Sequence, residues 1–277
     1  MGCCFTTFCR AALVEQAPNE VSLNTPGVEI IRTLSKGRNR AVYVCQKAGE
    51  RLVCKMILKS SNSWQKEIDI LRFLNTTDFD IKLREVHHTD KEVLIFCDMI
   101  SGCDLYEYLQ DHGVIAENLA KKVFRQLTKK AQKLHRLGIW HLDLKPENII
   151  CENFSIDNLA LIDFGHAIFS DSTSIPGKGT LGYAAPEQLT NQCSEKTDIW
   201  SLGCLLYVIL FMEYPVPRQE KYFIQMLEDF DEYSKLRWGD NFSSVSENCQ
   251  DLINRLLTIN PISRPSFREI FDHPWLN

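Results

Sequence analysis

Between His141 and Gly165 the chain sets Asp143, Lys145, Asn148 and Asp163 at short intervals among runs of Leu, Ile and Phe. Two carboxylates, a carboxamide and an ammonium beside buried apolar stretches suit the transfer of a phosphoryl group. Its transition state spreads negative charge over several oxygens, so catalysis is mostly positioning and charge neutralisation. Such a site needs one carboxylate to accept or orient the proton of an attacking hydroxyl and a cation to meet the moving phosphate. It also needs oxygen donors for magnesium, a hard ion. The competing reading is a polar loop between a helix and a strand.

The surrounding elements must hold these groups in place. From Glu29 to Leu58 the pattern is strand-like: EIIRTL, AVYVCQ and RLVCKMIL, with Lys47–Glu50 turning between the last two. WQKEIDILRFL (64–74) puts Ile68, Leu71 and Leu74 on one face of a short helix, and EVLIFCDMI (92–100) reads as a strand ending at Ser101-Gly102. From Asn118 to Leu137 apolar residues recur every three or four positions, and Gly138 closes the helix. Beyond residue 185 the chain reads as mostly helical. Residues 1–27, with Pro18, Asn19, Asn24, Pro26 and Gly27, have no sustained period and read as a flexible leader.

Composition narrows the classes. The 277 residues are 44% hydrophobic and 24% charged, ordinary for a soluble globular chain. A net charge of −5 offers no basic excess to neutralise phosphates and argues against nucleic acid as a partner. Eleven cysteines without a CxxC pair or metal spacing point to free thiols in a reducing compartment. The run IWSLGCLLYVILFM (199–212) is too short to span a bilayer and fits a buried helix. With no basic n-region or apolar core at the start, the expected location is cytoplasmic; the expected oligomeric state is a monomer.

HLDLKPENIIC (141–151) followed by Asp163-Phe164-Gly165 matches the catalytic loop and metal-binding motif of protein kinases. The chain resembles the eukaryotic protein kinase family from about residue 28 to 277, and its catalytic loop is especially similar to those of myosin light chain kinases and death-associated kinases. The resemblance implies Asp143 as the catalytic carboxylate, Lys145 as the cation at the moving phosphate, and Asn148 and Asp163 as magnesium ligands. Lys55 in LVCK matches the phosphate-binding lysine, Glu67 its helix partner, and Leu71 an inward-packing neighbour. GTLGYAAPE (179–187) resembles the end of the activation segment, where substrate docks, and Arg264 the arginine that pairs with Glu187. The implied ATP site comprises Leu34, Ser35, Gly37, Val42, Lys55, Glu67, Met99 and Asp104. Its hinge is expected near Asp98–Ile100, with Cys97 as gatekeeper. Lys145 and Thr180 are the choices found in serine/threonine kinases. Asp104 and Glu147 occupy positions where kinases that prefer basic substrates keep acids, although Val208 replaces a third, so a moderate preference for upstream Arg is expected.

The chain departs from the family pattern in three places. The glycine loop should read G-x-G-x-x-G-x-V, but here Ser35, Gly37 and Arg40 stand at the glycine positions, so only the middle glycine remains. Arg40 could crowd the loop or add a cation near the phosphates. Leu142 replaces the arginine that usually gathers an activation-loop phosphate, so activity is expected without phosphorylation of Ser170, Ser172, Thr173 or Ser174. Lys55 and Glu67 lie only twelve residues apart, which leaves open a shifted helix with another partner.

MGCCFT fits the M-G-x-x-x-[ST] pattern, with Gly2 as myristate acceptor and Thr6 at the required position. A single myristoyl chain binds membranes marginally, and Arg10 is the sole basic residue of the leader, so Cys3 and Cys4 are the expected palmitate sites. The alternative is a short tail with two incidental cysteines.

The expected fold is α+β and bilobal: a small β-rich N-lobe with one main helix (about 28–99) and a larger, mostly helical C-lobe (about 102–277). The expected function is ATP- and Mg2+-dependent phosphorylation of Ser or Thr on protein substrates, at a membrane face if the leader is acylated. The alternative is a catalytically impaired pseudokinase acting as a nucleotide-binding scaffold.

Overall fold

The computed structural model describes residues 25–61, 64–173, 178–228 and 240–277. In chain order the strands and helices are β1 (Val28–Lys36), β2 (Arg40–Lys47), β3 (Glu50–Leu58), α1 (Trp64–Asn75), β4 (Leu83–His88), β5 (Glu92–Asp98) and β6 (Gly102–Asp104). There follow α2 (Leu105–His112), α3 (Glu117–Arg136), β7 (Ile139–Trp140), β8 (Ile149–Glu152), β9 (Leu159–Leu161) and β10 (Ile168–Phe169). The last four are α4 (Glu195–Phe211), α5 (Glu220–Glu228), α6 (Glu247–Leu256) and α7 (Phe267–Phe271). The fold is α+β, as expected. Gly2, Cys3, Cys4 and Thr6 lie outside the described residues. Thr25, expected in the leader, is already buried and accepts a bond from the Val28 amide.

Two compact units form, and they interleave along the chain. One holds the described residues up to Tyr108 together with Ile149–Gly165; the other holds Leu109–Asn148 with His166–Asn277. A single division near residue 100 therefore misses a return segment. The reason is pairing: β6 bonds to β8 and β8 to β9, so Ile149–Leu161 joins the earlier residues. Gly102 makes this possible, since at φ 145° a Cβ there would lie 2.0 Å from the Cys151 carbonyl oxygen.

In the first unit, antiparallel strands run in the order β1-β2-β3-β5-β4. Side chains alternate between its faces, the period of a strand. Tyr43, Cys45, Cys54 and Phe96 build one apolar cluster, and Leu34, Val42 and Val44 build another. Ala48 and Gly49 both take positive φ (49° and 85°), which gives β2 and β3 a tight two-residue turn matched to strand twist. Helix α1 buries Glu67, Ile68, Ile70, Leu71 and Leu74.

In the second unit, α3 buries Val123, Phe124, Leu127, Ala131 and Leu134 along one face. Helix α4 is buried all round from Thr197 to Phe211, the state expected of a helix apolar on every side. Its start is set by Ser194, whose side chain accepts from the Lys196 amide while Thr197 accepts from the Ser194 amide. No helix among the described residues is long and apolar enough to cross a membrane.

Candidate active site

In the first unit, a pocket is lined by Leu34, Val42, Val44, Val53, Ile81, Ile95, Met99, Ile150 and Ile162, with Lys55, Glu67 and Asp163 supplying charge. Cys97, Asp98 and Ile100 also line it. Strand β5 stops at Asp98, so the expected hinge residues Met99 and Ile100 lie just beyond the strand. Burial pushes the Cys97 thiol up to about 12, which makes it an inert wall at neutral pH.

The Lys55 ammonium bonds the Glu67 carboxylate at 2.6 Å and Asp163 at 2.6 Å. The short spacing from Lys55 therefore leaves Glu67 as the true partner, because α1 begins at Trp64 and presents Glu67 in its first turn. Burial would depress the Lys55 pKa, but Asp163 and Glu67 overcome it and hold the ammonium above its ordinary value. Asp163 takes a left-handed backbone (φ 60°) and accepts from the Gly165 amide at 3.1 Å. Phe164 is buried edge-on to Phe79.

The glycine-loop substitutions can now be placed. Gly37 and Arg40 close a short turn, the Gly37 amide bonding the Arg40 carbonyl at 2.8 Å. Ser35 pairs with Val42 in the β1–β2 ladder. Neither Ser35 nor Gly37 is among the lining residues, and nor is Arg40. Arg40 lies two residues before Val42 on the same strand face, and its charge is felt at Lys55 and Glu67, so it adds a cation near the charged end of the pocket. Asp104 is also absent from the lining. It is 1% exposed, and its Oδ1 accepts from the Glu107 amide at 2.8 Å, which caps α2. This bond occupies one carboxylate oxygen of Asp104; Glu147 is half-buried.

In the second unit, the catalytic-loop residues converge on Asp143. Lys145 Nζ lies 2.9 Å from Asp143 Oδ2 and donates to Thr180 Oγ1 at 2.8 Å, and the Thr180 hydroxyl donates to Asp143 Oδ1 at 2.6 Å. Asn148 Nδ2 donates to the Asp143 carbonyl at 2.8 Å, which leaves the amide oxygen as its end for a cation. Burial alone would raise the Asp143 pKa, but Lys145, His166 and the Thr180 hydrogen bond hold it below its ordinary value. Asp143 is therefore an ionised acceptor suited to orienting a hydroxyl.

Asp198, buried at the start of α4, fixes the loop from below. Its Oδ2 accepts from the His141 amide and lies 2.7 Å from His135 Nε2, while Oδ1 accepts from the Leu142 amide at 2.8 Å. Burial raises its pKa, yet the His135 bond and the nearby His141 outweigh that, so the folded value is below the unfolded one. Its contribution to stability is complete above the unfolded carboxylate value and is lost as pH falls through the folded one. In Asp198→Asn the amide cannot accept all these bonds. About 1–3 kcal/mol of stability should disappear near neutrality, and the variant should show less acid dependence than wild type in urea titrations at several pH values. Equal midpoints for the two proteins at pH 7 would contradict this.

A protein kinase domain model matches residues 28–276. The chain belongs to the protein kinase family. It is similar to serine/threonine-protein kinase cds1 of Schizosaccharomyces pombe, with 33% identity over 93% of this chain and 60% of that protein. It is also similar to calcium-dependent protein kinase 33 of Arabidopsis thaliana (29% identity, 96% of this chain, 52% of that protein). A third relative is calcium-dependent protein kinase 3 of Oryza sativa (30%, 88% and 46%). The kinase domain thus spans roughly half of these curated relatives' length.

Within the kinase domain, Glu187 and Arg264 pair as expected, Nη1 to Oε1 at 2.6 Å and Nη2 to Oε2 at 2.8 Å. The motif pattern does not include Gln188. It is fully buried and bonds both the Ala185 amide and the Leu142 carbonyl. Nothing in the neighbouring sequence sets it apart from a surface glutamine.

Proposed function

We propose that the chain is an active serine/threonine protein kinase that uses ATP and magnesium to phosphorylate hydroxyls of protein substrates, without needing a phosphorylated activation loop. The observation that carries this reading is the Asp143–Lys145–Thr180 triangle, an ionised carboxylate and a cation joined through a segment hydroxyl. The first unit's pocket fits the nucleotide: apolar walls for a flat base, and a charged end in which Lys55 stays protonated to meet phosphates. Asn148 and Asp163 each bring an oxygen donor of the hard kind that magnesium takes.

ATP supplies the phosphoryl group and magnesium, when bound, neutralises part of its charge. Asp143 orients the substrate hydroxyl and receives its proton as the new P–O bond forms and the bond from the γ-phosphorus to the bridging oxygen breaks, with ADP leaving. Lys145 offsets charge on the transferred oxygens, and Asn148 fixes the Asp143 backbone. Among the described residues, every charge these roles require is retained, so nothing in the site favours the scaffold alternative. Leu142 is buried and carries no cation, which supports independence from loop phosphorylation; Ser174 lies outside the described residues. A test is radiolabelled phosphate transfer to a Ser/Thr peptide library, with and without EDTA, before and after phosphatase treatment of the enzyme. Nucleotide binding with no transfer under magnesium or manganese would sink the proposal.

We propose further that Gly2 is myristoylated and Cys3 or Cys4 palmitoylated, placing the kinase on a cytoplasmic membrane face. The support is the MGCCFT pattern alone. Each buried CH₂ adds about 0.8 kcal/mol, so the second chain turns marginal binding into stable residence. Gly2→Ala should release the protein entirely, and Cys3→Ser with Cys4→Ser should leave a mixed population on fractionation. A wild-type protein that takes up no alkyne-myristate and is wholly soluble would refute the anchor.

A further inference from the structure

We infer that Gln188 is a positioning residue that fastens the end of the activation segment to the catalytic loop, in place of the arginine–phosphate tie that Leu142 removes. The inference rests on the kinase reading above and deepens its independence from phosphorylation.

The geometry starts at Leu142. Its backbone is left-handed (φ 62°), its side chain is buried, and its amide is held by Asp198. A leucine there cannot reach out to a phosphate, but its carbonyl is used. Gln188 Nε2 donates to the Leu142 carbonyl at 3.0 Å, and Gln188 Oε1 accepts from the Ala185 amide at 2.8 Å. One buried carboxamide thus joins two segments 46 residues apart in sequence.

Gly179 shows how closely the segment packs on this joint. A Cβ at Gly179 would fall 2.7 Å from Gln188 Nε2 and 3.0 Å from the Leu142 carbonyl oxygen, so only glycine lets the backbone lie there. The next residue, Thr180, donates to Asp143. The carboxamide therefore sits beneath the turn that delivers Thr180 to the catalytic carboxylate, with Ala185 tied on the far side. The two described bonds of Gln188 go to the backbone of the segment and of the catalytic loop, so it acts through them and not on the reacting atoms.

An apolar residue at this position would take partners from a buried carbonyl and a buried amide, a loss felt locally because both groups stay out of water. Nothing comparable happens at an exposed site. The joint is formed by an uncharged amide, so it needs no kinase upstream and no added phosphate.

Two substitutions test this. Gln188→Met keeps the volume and removes both bonds. Deuterium exchange at amides 179–185 should rise about tenfold or more, and KM for peptide should increase several-fold. Affinity for a fluorescent ATP analogue should stay unchanged, because neither Gln188 nor its described partners Leu142 and Ala185 line the pocket around Lys55. Gln188→Glu separates the two halves. Its carboxylate can accept from Ala185 but cannot donate to the Leu142 carbonyl; once protonated it can do both. Burial raises the pKa of such a carboxyl, so activity relative to wild type should recover as pH falls from about 8 to about 6. A merely structural role predicts no such recovery.

Unchanged exchange and KM in Gln188→Met, or a Gln188→Glu to wild-type ratio that is flat with pH, would overturn the inference. Should Gln188→Met not fold, the pH series on Gln188→Glu still decides. Should wild type transfer no phosphate, the kinase reading fails alone, and exchange at residues 179–185 in Gln188→Glu across the same pH range still judges the joint.

Discussion

Asp143→Asn is expected to lower kcat for peptide phosphorylation by about 10²–10⁴-fold, the range for removing a positioned general base. The substitution keeps the shape of the side chain. It replaces an ionised acceptor, which receives the Thr180 hydroxyl and pairs with Lys145, by an amide with one acceptor and no charge. The loss should fall on kcat and on kcat/KM alike, because the interaction matters when the proton leaves the hydroxyl. Nucleotide affinity should hold, since none of Asp143, Lys145, Asn148 and Thr180 lines the pocket around Lys55. Asp143 is held below its ordinary pKa, so this group should keep the wild-type rate level from neutral pH down into the carboxylate range. A variant retaining more than about a tenth of wild-type kcat would sink the role given to Asp143.

The convergence of Asp143, Lys145 and Asn148 was legible in the sequence because these groups come in one short segment with fixed spacing. Lys55 and Glu67 were legible for a different reason: α1 puts Glu67 in its first turn, so twelve residues suffice to bring it back to the strand. The strands of three residues were not legible. β6 and β9 are too short to show alternation, and only their pairing with β8 gives them identity. β4 was hidden as well, because LREVHH carries charge and histidine along its length and buries fully only Leu83.

Asp104 has a use that motif transfer does not show: the start of α2 needs an acceptor for its first amides, and Asp104 Oδ1 supplies it. Gln188 is a further case. Nothing local distinguishes it from a surface glutamine, and its role depends on the Leu142 carbonyl far away in sequence. Tertiary partners decide what a polar residue does, and a single sequence shows only some of them.

Arg264→Ala is expected to cost about 3–5 kcal/mol of stability in the second unit, the range for stranding one member of a buried ion pair. Arg264 is buried, and its guanidinium meets Glu187 at two points in a fork. It also donates to the carbonyls of Thr258, Ile259 and Lys196 and lies over the Trp200 ring, 5.0 Å from its centre. Alanine leaves a buried Glu187 carboxylate with the Thr197 hydroxyl as its remaining described partner. It also strips three carbonyls of a donor. Arg264→Lys should rescue little, because an ammonium lacks the planar fork and cannot serve so many fixed acceptors at once. Glu187→Gln should be milder than Arg264→Ala, since the guanidinium keeps its carbonyl partners and the amide oxygen still accepts from one of its arms. The pairing itself is tested by the double variant, Glu187→Leu with Arg264→Met. Two apolar side chains of similar volume remove both charges together, so the double variant should be more stable than Arg264→Ala alone. Urea titrations of the four proteins give the ranking. A double variant less stable than Arg264→Ala would mean that the carbonyl bonds and the Trp200 contact, and not the stranded carboxylate, dominate the loss.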